Sequence, residues 1–224
     1  DGRAGDPLNV ALVGSERQVV QSMIAAGWVP ADPVTLRTGA LIAEAVLLNR
    51  AYPDAPVSPL YLYGRKQDVA FECVAGRSPR QRHHVRFWRS VEPENVAVST
   101  WVGAASYDQS VGIGHATGEI THHIAPDLDT ERNKLIKDLQ SSRQLVRAYQ
   151  VTGIGPTLQG RNGEKDWYYT DGEVNVGVLV LDSVPVAGQP IWLPNPLPVD
   201  LKNHMWIWLR KALRIFGRLR AKDL

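Results

Sequence analysis

Cysteine is nearly absent. One residue, Cys73, in 224 excludes an internal disulfide and leaves no paired thiol ligands. It sits in the strand-like run "DVAFECV" with nothing electropositive beside it, so a small buried side chain outranks a reactive thiol. No apolar run approaches the roughly 20 residues that a membrane-spanning helix needs, and the first residues carry no signal-peptide pattern. His-Glu-x-x-His and the Gly-x-Ser-x-Gly elbow are missing, as are repeats and low-complexity tracts. Neither charge dominates: 25 Lys and Arg stand against 23 Asp and Glu, a net +2. The chain also opens without Met, which predicts a fragment or a processed form. What remains is ordinary globular composition, with 44% apolar and 21% charged residues, which rules out a disordered chain. Such a length forms one large domain or two small ones with a real core.

Apolar periodicity supplies the elements. "PLNVALVG" (7–14) reads as a buried strand, and Ser15 with Gln18 forms a capping box that opens a helix ending near Gly27. Val19, Met23 and Ile24 share one face of that helix. A second helix is expected over 36–49. Beyond the Pro-rich "AYPDAPVSP", the run "LYLYGRKQDVAFECV" has a hairpin signature. "RHHVRFWRSV" alternates as a strand, with His84, Arg86 and Trp88 on one face and His83, Val85 and Phe87 on the other. "VAVSTWVGAASY", "ITHHI", "LVRAYQV" and "EVNVGVLVL" are further strands. "DTERNKLIKDLQSS" is a helix capped by Asp129 or Thr130 after a turn at 126–129. The Asp171-Gly172 pair suits a hairpin turn. Together these predict an α+β fold, a mainly antiparallel sheet with flanking helices.

The composition changes at the Pro-rich stretch 183–201, read as a linker between a domain at 5–182 and a basic amphipathic helix at 202–224. In that helix Met205, Leu209, Ala212, Leu213 and Phe216 form an apolar stripe. Arg210, Arg214 and Arg218 recur every four residues, and Trp206 and Trp208 suit a headgroup interface. The pattern fits a membrane surface as well as a groove on this domain or on a partner. Nucleic acid is not an expected ligand, because no binding motif accompanies the basic tail.

Five of six histidines fall between residues 83 and 123, as "RHHVR", "GHATG" and "THHI". An inward histidine from each of two strands, meeting Asp127 or Asp129, would suit a divalent metal such as zinc. The same groups would suit metal-free acid/base chemistry with Arg86 or Arg132 holding an anion. The plainer alternative makes Asp127 and Asp129 helix-capping residues worth about 1 kcal/mol each, with Arg132 ion-paired to a carboxylate. His115 in "GHATG" is half of a two-histidine phosphodiesterase signature whose second half is absent. Asp166, Tyr168, Tyr169 and Asp171 in "GEKDWYYTDGEV" could wall a cleft.

"GDPLNVALVGS", "SPLYLYGRKQDVAFE", "RHHVRFWRS", "THHIAPDLDTER" and "YYTDG", in this order from about Gly5 to about Leu181, resemble the LssY C-terminal domain. The family's strand motif falls on His83, His84, Val85, Arg86, Phe87 and Trp88. Its second motif falls on Thr121, His122, His123, Ile124, Ala125, Pro126, Asp127, Leu128 and Asp129. The variable partners are His83 and His123, so the resemblance singles out His84 and His122.

Members of this family are bacterial and commonly membrane-linked, some following segments similar to type 2 phosphatidic-acid phosphatases. The phosphatase motifs of that neighbouring domain are absent here. The resemblance implies a membrane-associated accessory domain of the bacterial envelope that recognises an anionic lipid headgroup or a membrane partner through residues 202–224. The alternative is a hydrolase of a lipid phosphate or ester. In it His84, His122, Asp127, Asp129 and Arg86 would be catalytic, and Arg132, Tyr168, Tyr169 and Asp171 would bind substrate. His84, His122 and Asp129 would be the metal candidates. A third reading makes the histidines a buried polar network that fixes the sheet.

Overall fold

The computed structural model describes residues 5–31, 60–74, 81–91, 98–113, 120–180 and 188–220, without the side chains of 74, 110–113, 120–122, 211 and 213–220. The helix expected over 36–49, the "GHATG" motif with His115, and part of the Pro-rich linker lie outside the described residues.

In chain order the elements are β1 (Val10–Gly14), α1 (Glu16–Ala25), β2 (Val29–Pro30), β3 (Tyr61–Leu62), β4 (Arg65–Lys66), β5 (Val69–Val74), β6 (Arg82–Arg89) and β7 (Ser99–Ile113). They continue with β8 (Ile120–Ile124), α2 (Leu128–Ser141), β9 (Leu145–Val151), β10 (Gln159–Arg161), β11 (Trp167–Tyr169), β12 (Val174–Leu179), β13 (Ile191–Trp192) and α3 (Leu197–Arg220). This is an α+β fold. Its main sheet has the order β13-β9-β12-β1-β7-β6-β5-β2, with β8 also paired to β7. Two joints are parallel, β1 with β12 and β13 with β9; the other pairings are antiparallel.

Local signals explain the elements that the sequence anticipates. Ser15 and Gln18 form the capping box reciprocally, fixing the start of α1, an arrangement worth about 1 kcal/mol. Tyr63 and Gly64 both have positive φ (50° and 79°), the geometry of a tight hairpin turn, and they join β3 to β4. At the start of α2 the cap is Asp127, which accepts from the Thr130 amide at 3.2 Å. The expected caps, Asp129 and Thr130, lie inside the helix, because the Asp129 carboxylate is engaged elsewhere. Asp171-Gly172 is not a hairpin turn either: β11 pairs with β10, and residues 170–173 instead carry the chain into β12.

The two faces of the sheet differ. On one, Val10, Leu12, Phe71, Val85, Phe87 and Trp101 pack against Val19 and Met23 of α1 and Leu135, Ile136 and Leu139 of α2. Gly103 is needed in this layer, since a Cβ there would lie 2.6 Å from the Phe87 ring. Opposite, a small apolar cluster of Ala11, Val174 and Val176 gives way along β5, β6 and β7 to charge. Glu72, Arg82, His84, Arg86, Ser106 and Asp108 are all buried there.

The C-terminal helix begins at Leu197, five residues before the expected 202. Pro198 lies in its first turn, where a missing amide hydrogen is not a loss, and the Val199 amide donates to the Pro196 carbonyl at 2.9 Å. Within the segment expected to be only a linker, Ile191–Trp192 forms the edge strand β13. No described helix is long and apolar enough to cross a membrane.

Candidate functional site

The alternation of β6 sends His83 and His84 to opposite faces. His83 Nδ1 lies 2.7 Å from Glu131 Oε2 of α2, beside the Tyr107 ring, and so ties the helix to the sheet. His84 turns into the charged layer. Its Nε2 is 2.9 Å from Ser106 Oγ, directly across the β6–β7 ladder. Its Nδ1 is 3.2 Å from Asp108 Oδ1.

A third carboxylate enters from outside the sheet. Asp6, in the irregular segment before β1, accepts through Oδ2 from Ser106 Oγ at 3.1 Å and from Arg86 Nη1 at 3.5 Å, with His84 Nε2 at 3.9 Å. Its Oδ1 accepts from Asn162 Nδ2 at 3.1 Å. Asn9 holds this segment in place, exchanging 2.9 Å bonds with the backbone of Ala105. Burial and the Arg86 charge both oppose a proton on His84, yet Asp108 and Asp6 outweigh them and its pKa is raised. Burial likewise opposes charge on Asp6, but the nearby His84 and the Arg86 field hold its carboxyl below the usual value. Alongside, Arg82 pairs with Glu72 at 2.8 Å, both buried.

Ser106, His84 and Asp108 thus stand in the order of a nucleophile, a base and an orienting acid. The charges argue against that use. A histidine that favours its proton is a poor base, and the Ser106 hydroxyl donates to Asp6.

Asp127 and Asp129 belong to a second network. Asp129 Oδ1 accepts from Thr170 Oγ1 at 2.6 Å; its Oδ2 accepts from the Asp171 amide at 2.9 Å and from Arg210 Nη1 at 2.8 Å. Arg132, 1% exposed, forms a two-pronged pair with Asp171 at 2.7 and 2.9 Å and donates to the Glu173 carbonyl at 2.7 Å. Burial opposes charge on Asp171, but Arg132 holds its carboxyl below the ordinary value. At Asp129 burial prevails over Arg132 and the carboxyl is raised.

The tyrosines are also engaged. Tyr168 packs with Ile124 and Leu128. Tyr169 donates to Asp127 Oδ2 at 3.4 Å and lies under the Arg210 guanidinium, 5.4 Å from its ring centre. His123, rather than the family-matched His122, has the described carboxylate partner: its Nδ1 is 2.7 Å from Asp166 Oδ1. His122 is placed in β8 opposite Val111, and its side chain lies outside the described residues.

Among the described residues no three His, Cys, Asp or Glu side chains are arranged to hold a metal ion. Cys73 is partly buried against the core, and burial pushes its thiol pKa up, as suits an inert side chain.

Sequence reasoning missed Asp6, Ser106, Asp108, Asn162 and Glu173. For Ser106 and Asp108 a signal exists: Ala104, Ser106 and Asp108 alternate along β7 and would mark a polar face once the β6 register is known. Asp6 and Asn162 lie in irregular segments that periodicity does not reach.

The class is therefore an α+β domain on a mixed, mainly antiparallel sheet, with one charged face and a C-terminal helix. The family model described as "LssY C-terminus" matches residues 1–174, and the chain belongs to that family. Comparison with curated proteins and with solved structures finds no match.

Proposed function

We propose that this chain is a membrane-associated accessory domain of the bacterial envelope that rests on an anionic lipid surface through α3. The observation that carries this reading is the way α3 is docked. Its polar side holds the body: Lys202 pairs with Glu173 and donates to the Asp171 carbonyl at 2.6 Å. Asn203 reaches Gln150 at 3.4 Å, and Arg210 reaches Asp129. The apolar side therefore faces away, with Leu197, Leu201, Met205 and Trp208 at 81%, 60%, 66% and 77% exposure. A helix of a water-soluble domain ordinarily turns its apolar stripe inward, so the outward stripe calls for a cover.

The basic sequence of this segment favours lipid over a neutral protein groove. Lys211, Arg214, Arg218, Arg220 and Lys222 follow Arg210 in sequence. Each basic residue near an anionic surface contributes about 1 kcal/mol, and each fully buried apolar side chain about 1.5–3 kcal/mol. Trp208 suits the interface, where its ring body is apolar and its indole N–H is wet. Ile191, Trp192 and Leu193, also exposed, lie just ahead of α3 in sequence.

Flotation tests this. The chain should rise with vesicles containing phosphatidylglycerol and remain below with pure phosphatidylcholine. The triple variant Leu201→Ser, Met205→Ser, Trp208→Ser, which spares the docked side, should fail to rise. Equal flotation of the variant would remove α3 from the account. Failure of the parent chain to rise with either vesicle would remove the membrane and leave a protein partner as the cover.

A hydrolytic reading draws on the Ser106–His84–Asp108 order and comes second, because Asp6 occupies the hydroxyl that would attack.

A further inference from the structure

Asp6 raises a question that helix docking does not answer. A carboxylate from an irregular segment lies against side chains of three other elements: His84 and Arg86 of β6, Ser106 of β7, and Asn162 from the turn after β10. All four of those side chains are buried, and at most they donate one guanidinium, one imidazole, one hydroxyl and one amide to two oxygens. Such a set of donors recognises an oxyanion, whichever molecule supplies it.

The charge count supports a separable ligand. With His84 protonated, the layer holds Arg82, Arg86 and His84 against Glu72, Asp108 and Asp6, three of each sign. Lifting Asp6 out leaves one net positive charge and strips the Ser106 hydroxyl and the Asn162 amide of the acceptor they share. The Asp6 side chain itself retains 11% exposure. The arm itself contributes no regular structure between Gly5 and Asn9. Its firm anchor is Asn9, three residues further on.

We infer that the His84–Arg86–Ser106–Asn162 socket is an oxyanion site that the chain's own Asp6 closes, and that a phosphate group takes it when the arm lifts. Asp6 is then a tethered competitor. Its high local concentration keeps weak external anions out, while a phosphate carrying more charge than a carboxylate competes with it. The socket shares no residue with α3 and does not depend on the membrane reading. A phosphate in it could belong to a lipid headgroup or to a soluble ester.

Calorimetric titration with inorganic phosphate and with glycerol 3-phosphate, at constant ionic strength, tests the inference on the full chain. Asp6→Ala should bind phosphate at least about tenfold more tightly than the parent, and adding Arg86→Gln should abolish the gain. Equal affinity of parent and Asp6→Ala overturns the inference, and so does binding that survives Arg86→Gln. Tighter binding of glycerol 3-phosphate than of phosphate would assign the site to an esterified headgroup; equal binding would assign it to the phosphate alone.

If Asp6→Ala does not fold, Asp6→Asn replaces it, keeping an amide near Ser106 and Asn162 while removing the charge. Its thermal midpoint should then rise with added phosphate and not with equivalent chloride; a midpoint indifferent to phosphate overturns the inference. None of these probes involves a bilayer, so failure here leaves the flotation result standing.

Discussion

Arg132 has exchanged its water for protein oxygens. Both prongs of its guanidinium meet Asp171, one also meets the Glu173 carbonyl, and Nε donates to Asn133 Oδ1 at 3.2 Å. Such a pair adds little over a well-packed apolar replacement, but removing one partner strands a buried charge, which costs about 3–5 kcal/mol. Arg132→Ala should therefore lower the unfolding free energy from urea titration by that much, and Arg132→Lys should recover only a minor part, since an ammonium cannot make the two parallel bonds. A loss under 1 kcal/mol for Arg132→Ala would show that the network is not holding the α2 start to the β11–β12 connection. At this scale the sequence marked Asp129 as a cap or catalytic candidate, Arg132 as an anion holder or the partner of an unnamed carboxylate, and Asp171 as a turn or cleft residue. It could not say that they bond to one another, because 39 residues separate Arg132 from Asp171. Pairing at that distance is set by tertiary packing, and local spacing carries no record of it.

Among the elements, those with a local signal were legible and those fixed by docking were not. Ser15 and Gln18 announce α1, and the alternation in β6 correctly separates the face of His84, Arg86 and Trp88 from that of Val85 and Phe87. The apolar stripe of α3 was equally plain, but not which of its faces meets the body. That depends on Asp129 and Glu173, which sequence places far from the helix. The described docking contacts include charged pairs at both Lys202 and Arg210, so the docking should be separable from folding. Arg210→Ala combined with Lys202→Ala removes the charged contacts to Asp129, Asp127 and Glu173. Hydrogen exchange should then rise across 197–210 while β6, β7 and α2 keep their protection. Unchanged protection in α3 would mean that its apolar residues, not these charges, hold it down.

The whole molecule joins its first strand to its last long one: β1 pairs with β12 on one side and β7 on the other. A parallel joint over more than 160 residues leaves no mark in local pattern, although the fold class does. That joint anchors the arm that delivers Asp6 to His84, so global stability should carry the titration of His84. The groups facing it are Asp6 on the arm, Glu72 on β5, Arg82 and Arg86 on β6, and Ser106 and Asp108 on β7. Its folded pKa is raised, chiefly by Asp108 and Asp6 acting against burial and Arg86. The stabilisation is thus complete below the ordinary histidine value, about 6.5. It is lost as pH rises from there through the raised value, where the unfolded chain has released the proton that the folded chain still holds. Asp6, with its pKa lowered, acts at the other end: its contribution is present above the ordinary carboxyl value and lost as acid carries the pH down through the lowered one. Unfolding free energies from urea titrations taken from about pH 6 upward should fall for the parent by as much as about 1.4 kcal/mol per pH unit, and His84→Gln should flatten that slope. Parallel slopes for the two proteins would mean that His84 holds no proton in the folded state. The charged layer would then lack its third cation, and Asp6 would be held by Arg86 and the two neutral donors alone.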